Sequence, residues 1–497
     1  MNILLVYPEF PDTFWSFKHA LSFVKRKASS PPLGLLTVAA MLPEEWNKRL
    51  IDTNVRALTS EDLFWADYVF LSAMVVQRKS AQQIIAQCKE AGVRVVAGGP
   101  LFTMEYEEFP EVDHFVLNEA ELTLPPFLAD LARGEPQRIY QTNEFPDIRQ
   151  TPAPLWRLAE LDRYETMAIQ FSRGCPFHCD FCNITTLFGH RPRTKTAPQI
   201  LAELDSLYAL GWRRNIFFVD DNFIGNKRQI KNEILPALIE WRKGKIGVPF
   251  QTEVSINLAD DDELINLMVE AGFNTVFVGI ETPNLDSLAE CSKSQNQNRD
   301  LVESVRRLQT AGMQVQGGFI VGFDNDSPSI FQQQIEFIQK SRIVTAMVGL
   351  LQAPLGTPLF ERLRREGRIL SGFTGDNVDG LTNILPKMDL HVLQEGYRHV
   401  LDSLYSPKDY YQRVINFLKE YRLPKVSVPI DFSQVMAFLR SIYRLGIRGA
   451  ERVYYWRLFF WTLFHRPKLF PMAITLAIYG FHFRKVVELH IQSLPAG

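Results

Sequence analysis

Residues 168–182 read Ala168-Ile169-Gln170-Phe171-Ser172-Arg173-Gly174-Cys175-Pro176-Phe177-His178-Cys179-Asp180-Phe181-Cys182. Ala168–Ser172 has the length and apolar character of a buried strand, and the loop after it carries three cysteines in a C-x3-C-x2-C spacing. Three thiolates on one short loop can bind three corners of a [4Fe–4S] cluster. No fourth cysteine lies nearby, so one iron keeps an open position. An open iron can bind substrate or cofactor atoms, whereas a cluster closed by four cysteines only moves electrons. The competing reading is a structural zinc site with His178 as fourth ligand. Zinc sites usually pair two C-x2-C knuckles, and no second knuckle occurs in this chain.

Downstream of this loop, apolar runs alternate with amphipathic helices. The strands are Ala168–Ser172, Asn215–Asp220, Phe250–Ser255, Thr275–Ile280, Val315–Val321 and Ala346–Leu351. Helices are predicted at Pro198–Leu210, Asp261–Ala271, Asp300–Ala311 and Pro328–Lys340. Six strand–helix units predict a partial parallel (β/α)6 barrel, with active residues at the C-terminal ends of its strands. Upstream, strands at Ile3–Tyr7, Arg49–Asp52, Tyr68–Ser72, Val93–Ala97 and His114–Leu117 alternate with helices such as Ser80–Ala91, whose Ile84, Ile85 and Cys88 share one face. That pattern predicts a doubly wound parallel α/β sheet. Its ligand rim would be Asp52-Thr53-Asn54, Ser72-Ala73-Met74, Gly98-Gly99-Pro100 and Asn118-Glu119-Ala120-Glu121. The expected layout is a doubly wound domain over 1–135, a proline-bearing linker over 136–164, the barrel over 165–375 and a mainly helical extension over 376–497.

The cysteine motif, with aromatic Phe181 just before the last cysteine, resembles that of the radical S-adenosylmethionine superfamily, over about residues 165–360. The resemblance implies that S-adenosylmethionine chelates the open iron through its amino and carboxylate groups. One electron then cleaves the sulfonium to methionine and a 5′-deoxyadenosyl radical. On the same resemblance, Asp220-Asp221-Asn222 stand where the family often has a Gly-Gly-Glu amino-group contact. Glu253 stands where a polar residue reaches the ribose, and Gly279-Ile280-Glu281 looks like the fourth-strand Gly-Ile-Glu element. Gly318-Phe319-Ile320-Val321-Gly322 matches the adenine-supporting Gly-x-Ile-x-Gly, and Pro354-Leu355-Gly356-Thr357-Pro358 resembles the sixth-strand ending. Read from the residues alone, Asp220, Asp221 and Asn222 equally suit a strand end and helix cap, and Glu281 a structural acid.

A doubly wound domain directly before a radical core resembles the cobalamin-binding radical family. That resemblance implies cobalamin contacts at Ser72, Gly98, Gly99, Pro100, Glu119 and Glu121. The Asp-x-His-x-x-Gly motif that supplies a cobalt-ligating histidine elsewhere is absent; the nearest stretch is Asp389-Leu390-His391. The alternative is a flavodoxin-like domain holding nothing or another nucleotide. The C-terminal region resembles the extension of cobalamin-radical proteins related to the hopanoid methylases, which act on polycyclic lipids.

Composition bounds these readings. At 497 residues, 46% hydrophobic and 22% charged, the chain suits two to four globular domains and excludes a disordered, collagenous or coiled-coil protein. Its formal charge of −2 argues against a nucleic-acid partner. That total hides an asymmetry. Tyr405–Gly497 holds fourteen Lys+Arg against five Asp+Glu, a balance of +9 that leaves −11 for the remainder. Eleven of the thirty-one residues in Val453–Phe483 are aromatic. Basic residues interleaved with Trp456, Phe459, Phe460, Trp461 and Phe464 read as an interfacial membrane helix or as a buried helix over the barrel mouth.

The N-terminus reads as a buried strand and not a signal peptide, and the thirteen apolar residues of Leu469–Phe481 fall short of the roughly 20 that span a bilayer. Cys88 reads as core. Cys291 is a weak candidate hydrogen donor or base, or a buried bystander. The leading expectation is a cytoplasmic, cobalamin-dependent radical methyltransferase, at most peripheral at the inner membrane face. It would act on an unactivated carbon of a lipid-like small molecule and take electrons from a flavodoxin or ferredoxin. A cobalamin-radical cyclase or rearrangement enzyme acting on a tetrapyrrole, and a non-catalytic iron–sulfur or cobalamin sensor, are the alternatives.

Overall fold

Two parallel six-stranded sheets organise the computed structural model, which describes residues 1–376 and 378–493. The first contains β1 (Asn2–Tyr7), β2 (Asn47–Asp52), β3 (Tyr68–Ser72), β4 (Arg94–Gly98), β5 (His114–Val116) and β6 (Ile139–Tyr140), in the order 2-1-3-4-5-6. Ile3, Leu4, Leu5 and Val6 are all inaccessible to solvent because helices cover both faces, which is why this strand reads as a continuous apolar run. The strand order reverses between β1 and β3, and ligands of such sheets sit beyond the carboxyl ends at that point. The five predicted strands are present to within two residues. The sixth, Ile139–Tyr140, pairs with β5 inside the stretch read as a linker.

The second sheet contains β7 (Met167–Ile169), β10 (Ile216–Phe218), β11 (Phe250–Glu253), β12 (Phe273–Glu281), β13 (Gln314–Val321) and β14 (Ala346–Leu350). All neighbours are parallel, in the order 7-10-11-12-13-14. The first predicted barrel strand is cut in two. After β7 the chain breaks off at Gln170 and forms a short antiparallel ribbon, β8 (Ser172–Arg173) against β9 (Arg193–Thr194), whose ends hold the cysteine loop between them. The outer helices are bounded by local chemistry legible in the sequence. Thr196 and Gln199 form a reciprocal cap, Asp261 and Asp300 accept from the first turns of the next helices, and Gly272 and Gly312 end helices in left-handed conformations.

Six strands do not close a barrel, and the gap between β7 and β14 must be filled from elsewhere. Two distant segments fill it. Phe14, from the loop after β1, stacks on Phe483 of the helix Phe470–Ser493 with centroids 4.2 Å apart. His482 Nε2 donates to the Phe14 carbonyl at 3.0 Å. Trp15 meets Phe277 of β12 edge-on and donates its indole N–H to Met347 Sδ at 2.9 Å. On the edge strand β14, the hydroxyls of Tyr405 and Tyr397 donate to the carbonyls of Ala346 (2.5 Å) and Val348 (3.1 Å), which blunts an otherwise unpaired edge. One hydrophobic core therefore runs from Phe14 through the barrel to Val487. The extension is helical as expected, with helices Leu390–Tyr405, Pro407–Glu420, Phe432–Ser441, Arg452–His465 and Phe470–Ser493. Among the described residues no helix is long and apolar enough to cross a membrane.

Candidate active site

The cysteine loop is pinned at both ends. Gly174 has φ +94°, and a Cβ there would stand 2.8–3.1 Å from the carbonyl oxygens of Gly189, Phe188 and Arg191, so only glycine fits. Its N–H donates to Asp221 Oδ2 at 3.0 Å, and the Cys175 N–H donates to the Gly189 carbonyl at 3.3 Å. At the other end the Cys182 N–H closes a turn onto the Cys179 carbonyl (3.1 Å). Asp180 is fastened through its N–H to Cys291 (3.2 Å) and through its carbonyl to Leu359 (3.0 Å). The ring of Phe181 lies edge-on to Phe323.

Cys175, Cys179 and Cys182 are partly buried and close enough to influence one another electrostatically. Burial pushes the Cys182 thiol up to about 12, so binding to metal must displace its proton. Among the described residues, no three His, Cys, Asp or Glu side chains are gathered tightly enough to grip a single ion. A cubane cluster makes a different demand: each thiolate binds its own iron, and the sulfurs stand apart. Three soft donors on a pinned loop fit that group. His178 stacks on His190, with ring centroids 4.2 Å apart.

The acidic residues at the strand ends divide into two kinds. Asp220 is buried and accepts from the Ser172 hydroxyl (2.6 Å) and from the backbone N–H groups of Ser172 and Phe171 (3.3 Å for the latter). Burial pushes it up to about 7. Asp221, pushed up to about 6 by burial, holds Gly174. Both carboxylates thus brace the stem of the cysteine loop. Glu253, at the end of β11, receives no hydrogen bond from the described residues. Burial, with Asp221 and Asp220 nearby, pushes it up to about 8.

Glu281 adopts φ +63° at the end of β12, and its carboxylate accepts from Lys293 Nζ at 2.6 Å. Gly279 leaves room for that pair, since a Cβ there would collide with the Glu281 carboxylate and stand 2.9 Å from Nζ. On β13, a Cβ at Gly318 would stand 2.7 Å from the Phe277 ring, and Gly322 turns the chain at φ +103°. A cavity of ≈ 450 Å³ opens beside the loop, lined in part by Pro176, Phe177, Asn222, Lys227, Ser255 and Asn257.

The rim of the first sheet faces the same loop. Ser72 and Gly98 are register partners, Gly99 (φ +88°) places its Cα where a Cβ would stand 2.5 Å from Ser72 Oγ, and Pro100 opens the next helix. Glu119 and Glu121 are committed differently from the sequence expectation. Arg173 donates to Glu119 Oε2 (2.5 Å) and Glu121 Oε1 (2.9 Å), and Arg193 donates to Glu119 Oε1 (2.7 Å). Their carboxylates therefore tie the first domain to the ribbon that carries the cysteine loop. Neither arginine was singled out in the sequence, although Arg173 directly precedes the motif. Lys293 and Gln295 were missed for a plainer reason: their loop has no signature. Cys291 does not suit a base, because its thiol keeps its proton. It lies buried with Phe323, Leu351 and Ala353, its Sγ 3.7 Å from the Leu288 carbonyl, and burial pushes it up to about 12. Cys88 is fully buried core, as expected.

A cluster-binding loop at the strand ends of an open barrel, facing the rim of a doubly wound domain, defines a class of enzyme that works through large bound cofactors. Known proteins agree. The B12 binding domain family matches residues 22–128, the Radical SAM superfamily residues 169–338, and a domain of unknown function, DUF4070, residues 357–495. An uncharacterized methyltransferase of Synechocystis sp. (strain ATCC 27184 / PCC 6803 / Kazusa) is 41% identical over 501 residues, covering 99% of this chain and 93% of its own. The Hopanoid C-2 methylase of Rhodopseudomonas palustris (strain TIE-1) is 35% identical over 471 residues, covering 92% and 88%. The solved structure of TsrM, a radical S-adenosylmethionine methyltransferase from Kitasatospora setae with cobalamin and a [4Fe–4S] cluster bound, superposes with a TM-score of 0.63. It spans 98% of this chain and 99% of that one, and at 16% identity the likeness is one of fold. The chain belongs to the cobalamin-binding radical S-adenosylmethionine methyltransferases, whose cofactors are a [4Fe–4S] cluster, S-adenosylmethionine and cobalamin.

Proposed function

We propose that this enzyme methylates an unactivated carbon of a hydrophobic, lipid-like small molecule. The observation that carries the reading is 35% identity to a hopanoid methylase across nearly the whole chain. The inner barrel wall supports it. Val276, Val278 and Ile280 point outward and are fully buried, so Phe277 stands on the inner face of β12, half-buried against Trp15, which in turn reaches Met347. Aromatic and thioether surface of this kind binds apolar ligands and keeps water out. When bound, the cluster with S-adenosylmethionine supplies hydrogen abstraction and cobalamin supplies the methyl group. Cys175, Cys179 and Cys182 would hold the cluster. Phe181, Asp220, Asp221, Glu253, Glu281, Gly318 and Gly322 would shape the S-adenosylmethionine side, with Asp220 and Asp221 fixing the loop. Ser72, Gly98, Gly99 and Pro100 would let cobalamin approach the first sheet, against which Glu119 and Glu121 hold the barrel. Reducing equivalents would come from a one-electron carrier such as a flavodoxin or ferredoxin.

The test is anaerobic reconstitution with methyl-labelled S-adenosylmethionine and an apolar extract. Label in an organic-soluble product one methyl group heavier than its precursor is expected. Deoxyadenosine formed with an isomeric or cyclised, unlabelled product would overturn methyl transfer in favour of rearrangement.

We also infer that the extension rests on an anionic membrane surface, on the cytoplasmic side. Phe432, Val435, Leu439, Tyr443 and Ile447 recur every three or four residues and are exposed, opposite the buried Ala437, Ser441 and Leu445. Val453, Phe460 and Phe464, spaced seven and four residues apart, share an exposed face of the next helix, opposite Tyr455, Leu458 and Thr462. Exposed Arg448, Arg452, Arg457 and Lys468 lie among them. Exposed apolar faces flanked by cations suit an interfacial position, not a spanning one.

A further inference from the structure

We propose that Lys293 and Gln295, on the loop after β12, are positioning residues that raise the reduction potential of the cluster. The proposal rests on the reading that Cys175, Cys179 and Cys182 hold that cluster.

The loop is built inward. Asn296 is wholly buried and its Nδ2 donates to the carbonyls of Gly279 (3.0 Å) and Ile280 (2.9 Å), which fastens the loop to the end of β12. Just before this anchor in the chain, Gln295 turns to a cysteine and Lys293 to the ring of Phe181. Gln295, only 8% exposed, donates from Nε2 to Cys179 Sγ at 3.6 Å. Its Oε1 is buried with no hydrogen-bond partner among the described residues, so the N–H to sulfur is the hydrogen bond this buried amide makes. Lys293 is partly buried, its side chain 11% exposed, with Nζ 5.9 Å from the Phe181 ring centroid and 2.6 Å from Glu281.

The ammonium acts on Cys175, Cys182 and Cys291 alike, and the Glu281 carboxylate is felt at Cys291. Burial pulls Lys293 down, but Glu281, Cys179 and Cys182 outweigh it and keep the ammonium charged. The vacancy of a side chain at Gly279 is what admits this pair.

A fixed positive charge and an N–H···S bond both favour the state with one more electron on the cluster, and such contacts are among the determinants of cluster potential. The step concerned is a one-electron reduction: one electron leaves the flavodoxin- or ferredoxin-class donor and enters the cluster, with no bond made or broken. Lys293 and Gln295 would bring that step within the donor's reach.

The test uses full-length, anaerobically reconstituted enzyme. Midpoint potentials come from redox titration followed by electron paramagnetic resonance, with iron and sulfide measured on each sample. Lys293→Met and Gln295→Met should keep a full cluster and shift its potential to more negative values, with Lys293→Arg near wild type. Because Lys293→Met strands the Glu281 carboxylate, the double variant Glu281→Gln/Lys293→Met carries the same expectation without an unpaired charge. Full iron and sulfide content with an unchanged potential in Gln295→Met and in the double variant overturns the proposal. Cys175→Ala addresses the underlying reading separately: a full, three-cysteine-type cluster in that variant would refute the ligand assignment and not the tuning.

Discussion

Arg173 donates from Nη2 to Glu121 Oε1 at 2.9 Å, across the junction between the two sheets, one residue before the cysteine loop begins. Arg173, Glu119 and Glu121 are nearly buried, at 12%, 3% and 11% side-chain exposure, so their charges exist there only because they are mutually satisfied. The position of the first domain and the position of the cluster loop are therefore set by the same guanidinium.

Replacing Arg173 by Met should lower unfolding stability by about 3–5 kcal/mol, the usual cost of removing one partner of a buried pair. Glu121 loses its only cation among the described residues, while Glu119 keeps Arg193. Lys should restore only part of it, because a point charge cannot serve two carboxylates through a planar fork. Denaturant unfolding of the three proteins checks this; equal midpoints for wild type and Arg173→Met would show the junction to be held elsewhere.

Gly174→Ala should abolish cluster assembly while leaving the chain folded. Its Cβ would meet three backbone carbonyls that have no rotamer to escape into, in addition to the strain of φ +94°. Iron and sulfide content after reconstitution, with circular dichroism as the folding control, reads the outcome. Wild-type iron content would contradict it.

Glu253 gives a pH prediction with a definite sign. In the unfolded chain it ionises near 4.5, and burial, with Asp221 and Asp220 facing it and Lys293 opposing them, raises it to about 8 in the folded protein. Between those values the folded state keeps a proton that the unfolded state has released. The stability contribution of this group therefore falls as pH rises through that window. Glu253→Gln stays neutral throughout. Its Tm should match wild type near the acid end of the window and exceed it increasingly toward the alkaline end, in melts without added S-adenosylmethionine. Parallel Tm profiles for the two proteins would be inconsistent with a buried, proton-holding carboxylate.

Phe432→Ser/Phe464→Ser removes the two most exposed aromatic rings of the C-terminal helices, at 79% and 75% exposure. Flotation with vesicles containing anionic lipid should fall markedly, and binding of the wild type should weaken with added salt because exposed arginines contribute. Binding of wild type to neutral and anionic vesicles alike, or to neither, would count against the docking surface.

Much of this protein was legible in its residue order because the relevant physics is local. Continuous runs such as Ile3–Val6 declare strands buried on both faces, caps such as Thr196 and Asp300 mark helix starts, and the spacing from Cys175 to Cys182 confines three donors to one loop. What lay beyond reach were interactions between residues far apart in sequence. The seam between β7 and β14 is closed by Phe14 and Phe483, 469 residues apart in number yet stacked at 4.2 Å. Glu119 and Glu121 look like any polar strand end until Arg173 and Arg193 are brought against them. Lys293 has no motif, and only the fold of its loop turns it toward Phe181 in the cysteine loop. Residue order determined the elements and the chemistry of the cluster loop, because periodicity, capping and ligand spacing act within a few residues. Tertiary structure alone decided which charges surround that loop and what fills the open barrel, because burial and ion pairing depend on neighbours that only folding supplies.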